Sequence, residues 1–156
     1  MADKTIRFGS DLRLLGNLEA QYDRNRGSDL FTIQRPQTSM FDLLTLQGAE
    51  NLQQALLLRF LTPVGEMAIL GHPDYGSRLS ELIGELNNDT NRNRAKIFVL
   101  QSLAAEPRVQ RVLTISVTQN ASDRTRMDIA VSLLSIDSDT PINLVFPFFL
   151  QGGPTP

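Results

Sequence analysis

From Val109 onward apolar residues recur at every second position, and that change of period restricts the second half of the chain to strands. Leu113, Ile115 and Val117 alternate with Thr114, Ser116 and Thr118, and Met127, Ile129, Val131 and Leu133 alternate with Asp128, Ala130 and Ser132. Successive side chains on a strand point to opposite faces, so each run has one apolar and one polar face. The polar stretch 120–125 joins the two runs most simply as an antiparallel hairpin. A third strand over 142–150 places Ile142, Leu144, Phe146, Phe148 and Leu150 on one side. Pro147 has no N–H to give to a ladder, which sends this strand, or its far half, to a sheet edge.

Before Val109 the period is helical. Asn51 and Gln54 have the spacing of a capping box and open a first helix. Leu52, Ala55, Leu56 and Arg59 form one stripe, and Leu57, Leu58, Phe60 and Leu61 widen it until the helix must be buried on more than one side. Thr62-Pro63 stops it, because a residue before proline is pushed out of the helical region. The loop that follows holds Gly65, Gly71, Gly76 and Pro73 among Met67, Ile69, Leu70 and Tyr75. Its backbone must bend repeatedly, and the expectation is that its apolar residues anchor it against a core. Ser77 then opens a short helix with Leu79, Leu82 and Ile83 on one face and Gly84 at its end. A third helix, capped by Asp89 or Thr90, runs to about residue 105. It buries Phe98, Val99 and Leu103 with Ile97, Leu100 and Ala104, and stops at Glu106-Pro107-Arg108. No acidic residue within this helix answers Arg92 and Arg94, which suits a solvated face more simply than a partner.

Helices first and strands afterwards predict an α+β domain over residues 48–156: about three helices packed on a small antiparallel sheet of three or four strands. Residues 1–47 read as an N-terminal arm, with polar runs at 23–28 and 35–39 and short strands over 5–8 and 30–33. The arm is either a loosely packed extension or a strap for a partner.

Composition narrows the function. A chain of 156 residues with 41% hydrophobic content suffices for one domain with one core. A net charge of −2, with both signs interspersed, offers no basic surface for a nucleic-acid backbone. Without cysteine there are no disulfides and no thiolate chemistry, and the lone His72 cannot build a histidine metal site. His72, between Gly71 and Pro73, suits a loop hydrogen bond better than acid, base or ligand duty. No metal or cofactor is expected. The first fifteen residues lack the apolar core of a signal peptide or membrane span, so the expectation is assembly in the cytosol with no direct membrane insertion.

The run NLQQALLLRFLTPVGEMAILGHPDYGSRLSELIG, followed by a helix closing on Ala105-Glu106-Pro107-Arg108-Val109, resembles the small baseplate wedge protein of contractile tails. This is the gene-25-like group of myophages, historically "lysozyme-like", with a relative called TssE in type VI secretion. The resemblance covers roughly residues 47–150. Its specific parts are the Leu-Thr-Pro-x-Gly-Glu to Tyr-Gly-Ser passage and the Glu-Pro-Arg triplet. It implies a structural part of a contractile injection machine, present in multiple copies in a six-fold assembly within a virion or particle. Its partners would be the larger wedge proteins and the sheath protein, joined by strand pairing, with hub or tube proteins as further candidates. The family's triplet is associated with holding the helical core bundle of the larger wedge subunits, which assigns partner binding here to Glu106, Pro107 and Arg108.

The old family name suggests a competing muramidase reading. Glycoside hydrolysis needs two carboxyls across a cleft, one in an apolar surround. Glu66 and Asp74 are the acids of the shaped loop, with Glu81 and Glu85 nearby, but their spacing defines no cleft. With no Trp and two Tyr, the chain has few platforms for stacking a sugar. The expectation is therefore a non-enzymatic protein with no catalytic residues. A soluble adaptor on the same fold is the third class.

Overall fold

The computed structural model describes residues 9–16, 30–136 and 138–151. The strand expected over 5–8, the polar run at 23–28 and the tail beyond residue 151 lie outside these. Among the described residues the chain forms β1 (Ser10–Leu12), β2 (Thr32–Gln34), β3 (Phe41–Leu43), β4 (Thr45–Gln47), α1 (Gly48–Leu61), α2 (Asp89–Ala104), β5 (Val109–Gln119), β6 (Arg126–Ser135) and β7 (Ser138–Phe149). The strands make three antiparallel sheets: β1 with β4, β2 with β3, and β5-β6-β7 in that order.

The α+β character stands, but the expected three helices on one sheet do not. Two α-helices and seven strands in three small sheets take their place among the described residues. The helix expected over 77–84 is a 3₁₀ segment, Arg78–Leu82, because five residues are too few for an α-helix to offset its nucleation cost. Three residues per 3₁₀ turn still bring Leu79 and Leu82 to one side, where both are buried, and leave Ile83 exposed in the extended backbone that follows. The extra strands come from residues 10–47. An extended segment has no hydrogen-bond partners of its own, so β1 takes them from β4 and β2 from β3.

One core joins the helices to the inner face of the three-stranded sheet. Met127, Ile129, Val131 and Leu133 of β6 and Ile142, Leu144 and Phe146 of β7 are buried with Leu52, Leu56 and Phe60 of α1 and Phe98, Val99 and Leu103 of α2. The Phe60 and Phe146 rings stack with centroids 5.3 Å apart. On β5 the alternation misleads. A bulge between Val112 and Thr114 inserts a residue into the ladder, so Val112, Ile115 and Val117 pack on the core while Leu113 points to solvent.

Helix α1 begins ahead of the expected capping box. Gln47 is the N-cap and makes no side-chain cap bond, while Asn51 and Gln54 lie inside the helix and are buried. Gln54 ties the arm down instead. Its oxygen accepts from the Leu14 and Leu15 N–H groups at 2.7 and 3.1 Å, and its amide donates to the Leu12 carbonyl at 2.8 Å. At α2 the cap is Asn88, which accepts from the Asn91 N–H at 2.8 Å. Arg92 is not left to solvent. It pairs with Asp89 one turn back and donates to the Asn87 carbonyl, and Arg94 donates to Asn91 Oδ1. Among the described residues, no helix is long and apolar enough to cross a membrane.

Candidate functional site

Glu106, Pro107 and Arg108 sit in the tight connection between α2 and β5, and the structure divides them. The Glu106 side chain is only 7% exposed, Pro107 lies at the surface, and Arg108 is partly covered. The connection is held on both sides: Glu106 N–H donates to the Leu103 carbonyl at 3.1 Å, Val109 N–H to the Glu106 carbonyl at 3.0 Å, and Ile136 N–H to the Arg108 carbonyl at 3.0 Å. Proline fixes the torsion between the two charged residues. Their relative orientation is therefore set by backbone.

Two guanidiniums meet the Glu106 carboxylate. Arg108 Nε donates to Oε1 at 2.6 Å, and the Arg59 guanidinium lies 3.7 Å from Oε2. Arg59 comes from the last turn of α1, is itself 11% exposed, and stands over the Tyr75 ring at 4.5 Å. One side chain thus ties α1, the glycine-rich loop and the α2–β5 connection together. Its Nε is buried with no hydrogen-bond partner among the described residues. Burial is the largest influence on the Glu106 carboxyl and pushes its pKa up. The Arg108 hydrogen bonds and charge, with the Arg59 charge, outweigh it, so the net shift is below the ordinary value of 4.5. The Tyr75 hydroxyl is shifted upward, chiefly by burial.

The loop reaches this cluster by recrossing the end of α1. Ser77 N–H donates to the Thr62 carbonyl at 2.8 Å and Val64 N–H to the Ser77 carbonyl at 3.1 Å. Gly76, with φ +115°, makes the crossing possible: a Cβ there would lie 2.6 Å from the Thr62 carbonyl oxygen and 2.8 Å from that of Pro63. Arg59 and Tyr75 were not assigned to the site from the sequence. The available signal was a lone arginine inside the run LLLRFL, where a charge requires a buried partner.

The loop acids are arranged differently. Glu66 and Asp74 are both exposed. A shallow depression of about 130 Å³ beside Asp74 is otherwise lined by residues such as Ser77, Arg78, Phe98 and Gln101, with no second carboxylate. Glu81 pairs with Arg78 at 2.7 Å on the surface, and Glu85 is exposed. Among the described residues no group of three or more His, Cys, Asp or Glu side chains is placed to hold a metal ion.

No family model matches this sequence, and no curated protein matches it significantly. Its fold is shared with the crystal structure of a Geobacter sulfurreducens protein provisionally described as a tail lysozyme. The superposition has a TM-score of 0.56 at 22% identity and covers 65% of this chain and 89% of that one. At that identity the likeness is one of fold.

Proposed function

We propose that this protein is a structural component of the baseplate wedge of a contractile injection machine, linking the larger wedge proteins to the first sheath ring by strand pairing. The observation that carries the reading is a fold shared with a protein provisionally described as a tail lysozyme, and in this chain the three-stranded sheet of that fold ends on β7, an edge strand. An uncovered edge gains main-chain hydrogen bonds from an added strand with little demand on side chains. The α2–β5 connection supports the second contact. The Glu106 carboxylate is held between two guanidiniums, and Pro107, with the partly exposed Arg108, lies at the end of α2 where a wedge partner can reach it.

The test is sedimentation of assembled particles. The wild-type chain should travel with sheath and tube proteins. Arg108→Ala should leave the isolated protein folded, with an unchanged far-UV spectrum, while greatly reducing recovery of baseplates and extended sheath. Normal particles with that variant would remove the docking role.

The tail-lysozyme description of the structural neighbour motivates a second measurement. The proposed role is non-enzymatic, so purified protein should release no more peptidoglycan fragments than buffer. Activity that disappears in Glu66→Gln or Asp74→Asn would replace the wedge reading with a muramidase.

A further inference from the structure

We infer that residues 10–15 form a strap latched by Gln54, and that this strap lifts from the domain and recloses as a unit while the helices and the three-stranded sheet stay folded. The inference concerns the arm alone and does not depend on the wedge reading.

The backbone of Leu44 shows what the strap covers. Its N–H donates to the Phe31 carbonyl at 2.8 Å, and its carbonyl accepts from the Arg13 N–H at 2.8 Å. The N–H and C=O of one strand residue point to the same side, so β2 and β1 lie end to end along one edge of the stretch 41–47. Leu46, two residues on, faces the same edge, opposite Asp11. The chain thus fills this edge with its own N-terminal strand, and lifting the strap uncovers the backbone of Leu46 and the carbonyl of Leu44.

The two sides of this ribbon are held by different forces. Apolar burial anchors β4, because Leu46 is 2% exposed and belongs to the core. The strap has little of that: Ser10, Asp11 and Leu14 are exposed, Leu12 and Arg13 are half-buried, and Leu15 packs only partly against the core. Polar contacts hold it instead. Leu12, one residue before Arg13, turns its carbonyl away from β4 by the same alternation, and the buried Gln54 amide donates to it at 2.8 Å. Gln54 also takes the Leu14 and Leu15 N–H groups, so one side chain of α1 satisfies three backbone groups of the strap. The Arg13 guanidinium folds back on the carbonyls of Leu15 and Gly16 at 3.2 and 2.8 Å and lies 5.7 Å from the Phe31 ring centre, at the joint between β1 and β2.

This division sets the order of opening. Hydrogen bonds that water can replace contribute modestly to stability, whereas the apolar contribution grows with the area removed from water. A segment fixed chiefly by the first therefore opens at a lower free energy than a core fixed by the second. Gln54 is the latch because its loss releases three bonds of the strap and none of the ladder between β1 and β4.

Native-state amide exchange on the intact chain tests the inference. The Arg13, Leu14 and Leu15 amides should exchange roughly a hundredfold faster than those of Ile129 and Val131 on the central strand β6. Low urea should leave the strap rates unchanged, because a local opening exposes little surface, and should raise the β6 rates. Gln54→Leu keeps the side-chain size while removing all three bonds. It should speed the Leu14 and Leu15 amides by about tenfold more, with the far-UV spectrum and the β6 amides unchanged. Strap and β6 amides that share one urea-dependent opening in the wild-type chain would place the strap in the cooperative core and overturn the inference. Unchanged Leu14 and Leu15 rates in a folded Gln54→Leu chain overturn the latch. A Gln54→Leu chain whose β6 amides lose protection as well makes Gln54 a core residue and also overturns the latch, while the wild-type rates still decide whether the strap opens by itself.

Discussion

Two polar side chains of helix α1, Arg59 near one end and Gln53 near the other, make contacts of opposite character. Near its C-terminal end Arg59 meets the Glu106 carboxylate inside the protein, with Tyr75 over the guanidinium and a glycine crossing beside it. In its first turns Gln53 reaches the Asn143 carbonyl at the surface through a long 3.4 Å contact. The first arrangement is expensive to disturb, because a buried charge that loses its partner keeps its desolvation cost. The second is cheap, because water can replace either group. The proposed role, holding one partner in a fixed orientation and accepting a strand from another, calls for both kinds of contact. The difference also predicts where substitutions act on folding and where they act on assembly.

The largest expected effect is at the crossing. Gly76→Ala combines a φ of +115° with backbone oxygens closer than any Cβ tolerates, and backbone cannot swing aside as a side chain does. The cost should be on the order of 3 kcal/mol or more in urea denaturation. Gly71→Ala is the control. Its φ of +87° is also left-handed, but a Cβ would meet nothing within 4 Å, so only backbone strain of about 1 kcal/mol is expected. Equal losses at the two glycines would mean that the crossing is looser than its geometry states.

Next comes the carboxylate. Glu106→Gln leaves the Arg59 guanidinium under cover without its countercharge, and a loss of about 2 kcal/mol at neutral pH is expected, reduced from the fully buried case because Arg108 retains solvent. The loss should depend on pH with a definite sign. The folded-state pKa of Glu106 lies below the ordinary 4.5, so its contribution is fully present above that value and disappears as the pH falls through the folded value. The gap between wild type and Glu106→Gln should therefore be constant from pH 7 to about 5.5 and close on further acidification. A gap that persists at pH 2 to 3 would show that shape or hydrogen bonding, rather than charge, is what the glutamate contributes.

These two regions were unequally legible in the sequence. The alternation of β6 and β7 marked their inner faces, and Pro147 marked an edge, because period and missing donors are local properties. The triplet at 106–108 was visible as a helix stop. Its division into a buried glutamate and a partly covered arginine was not, since that depends on Arg59, which lies far away in the chain. Gln54 shows the same limit. Its spacing from Asn51 has the form of a capping box, but its amide is spent on Leu12, Leu14 and Leu15 of the arm. At Leu113 the failure was of another kind. A bulge leaves the alternating pattern intact on paper while shifting which residues face inward, so β5 reads correctly as a strand and wrongly as a face. Likewise a five-residue 3₁₀ segment with leucines three apart carries the same apolar signature as one turn of α-helix.

The smallest expected effect sharpens the comparison most. Gln53→Ala removes a contact that is long, solvent-exposed and made by a side chain that water replaces readily. Its effect on stability should stay within about 0.5 kcal/mol, the range of ordinary surface substitutions, and alanine's higher helix propensity works in its favour. The consequence for assembly should have the opposite sign from every substitution at the other end of the helix. With Gln53 gone, the Asn143 carbonyl no longer has to exchange a side-chain amide for a backbone one when a strand arrives. Incorporation into particles should be as fast as for wild type or faster, with no change in the final amount. If Gln53→Ala instead destabilises the chain by more than about 1 kcal/mol, well outside that surface range, the Gln53 side chain is itself part of the packed structure and its contrast with Arg59 fails. If it folds normally but no longer enters particles, Gln53 contacts the incoming segment directly, and its amide belongs to the recognition surface rather than standing in for it.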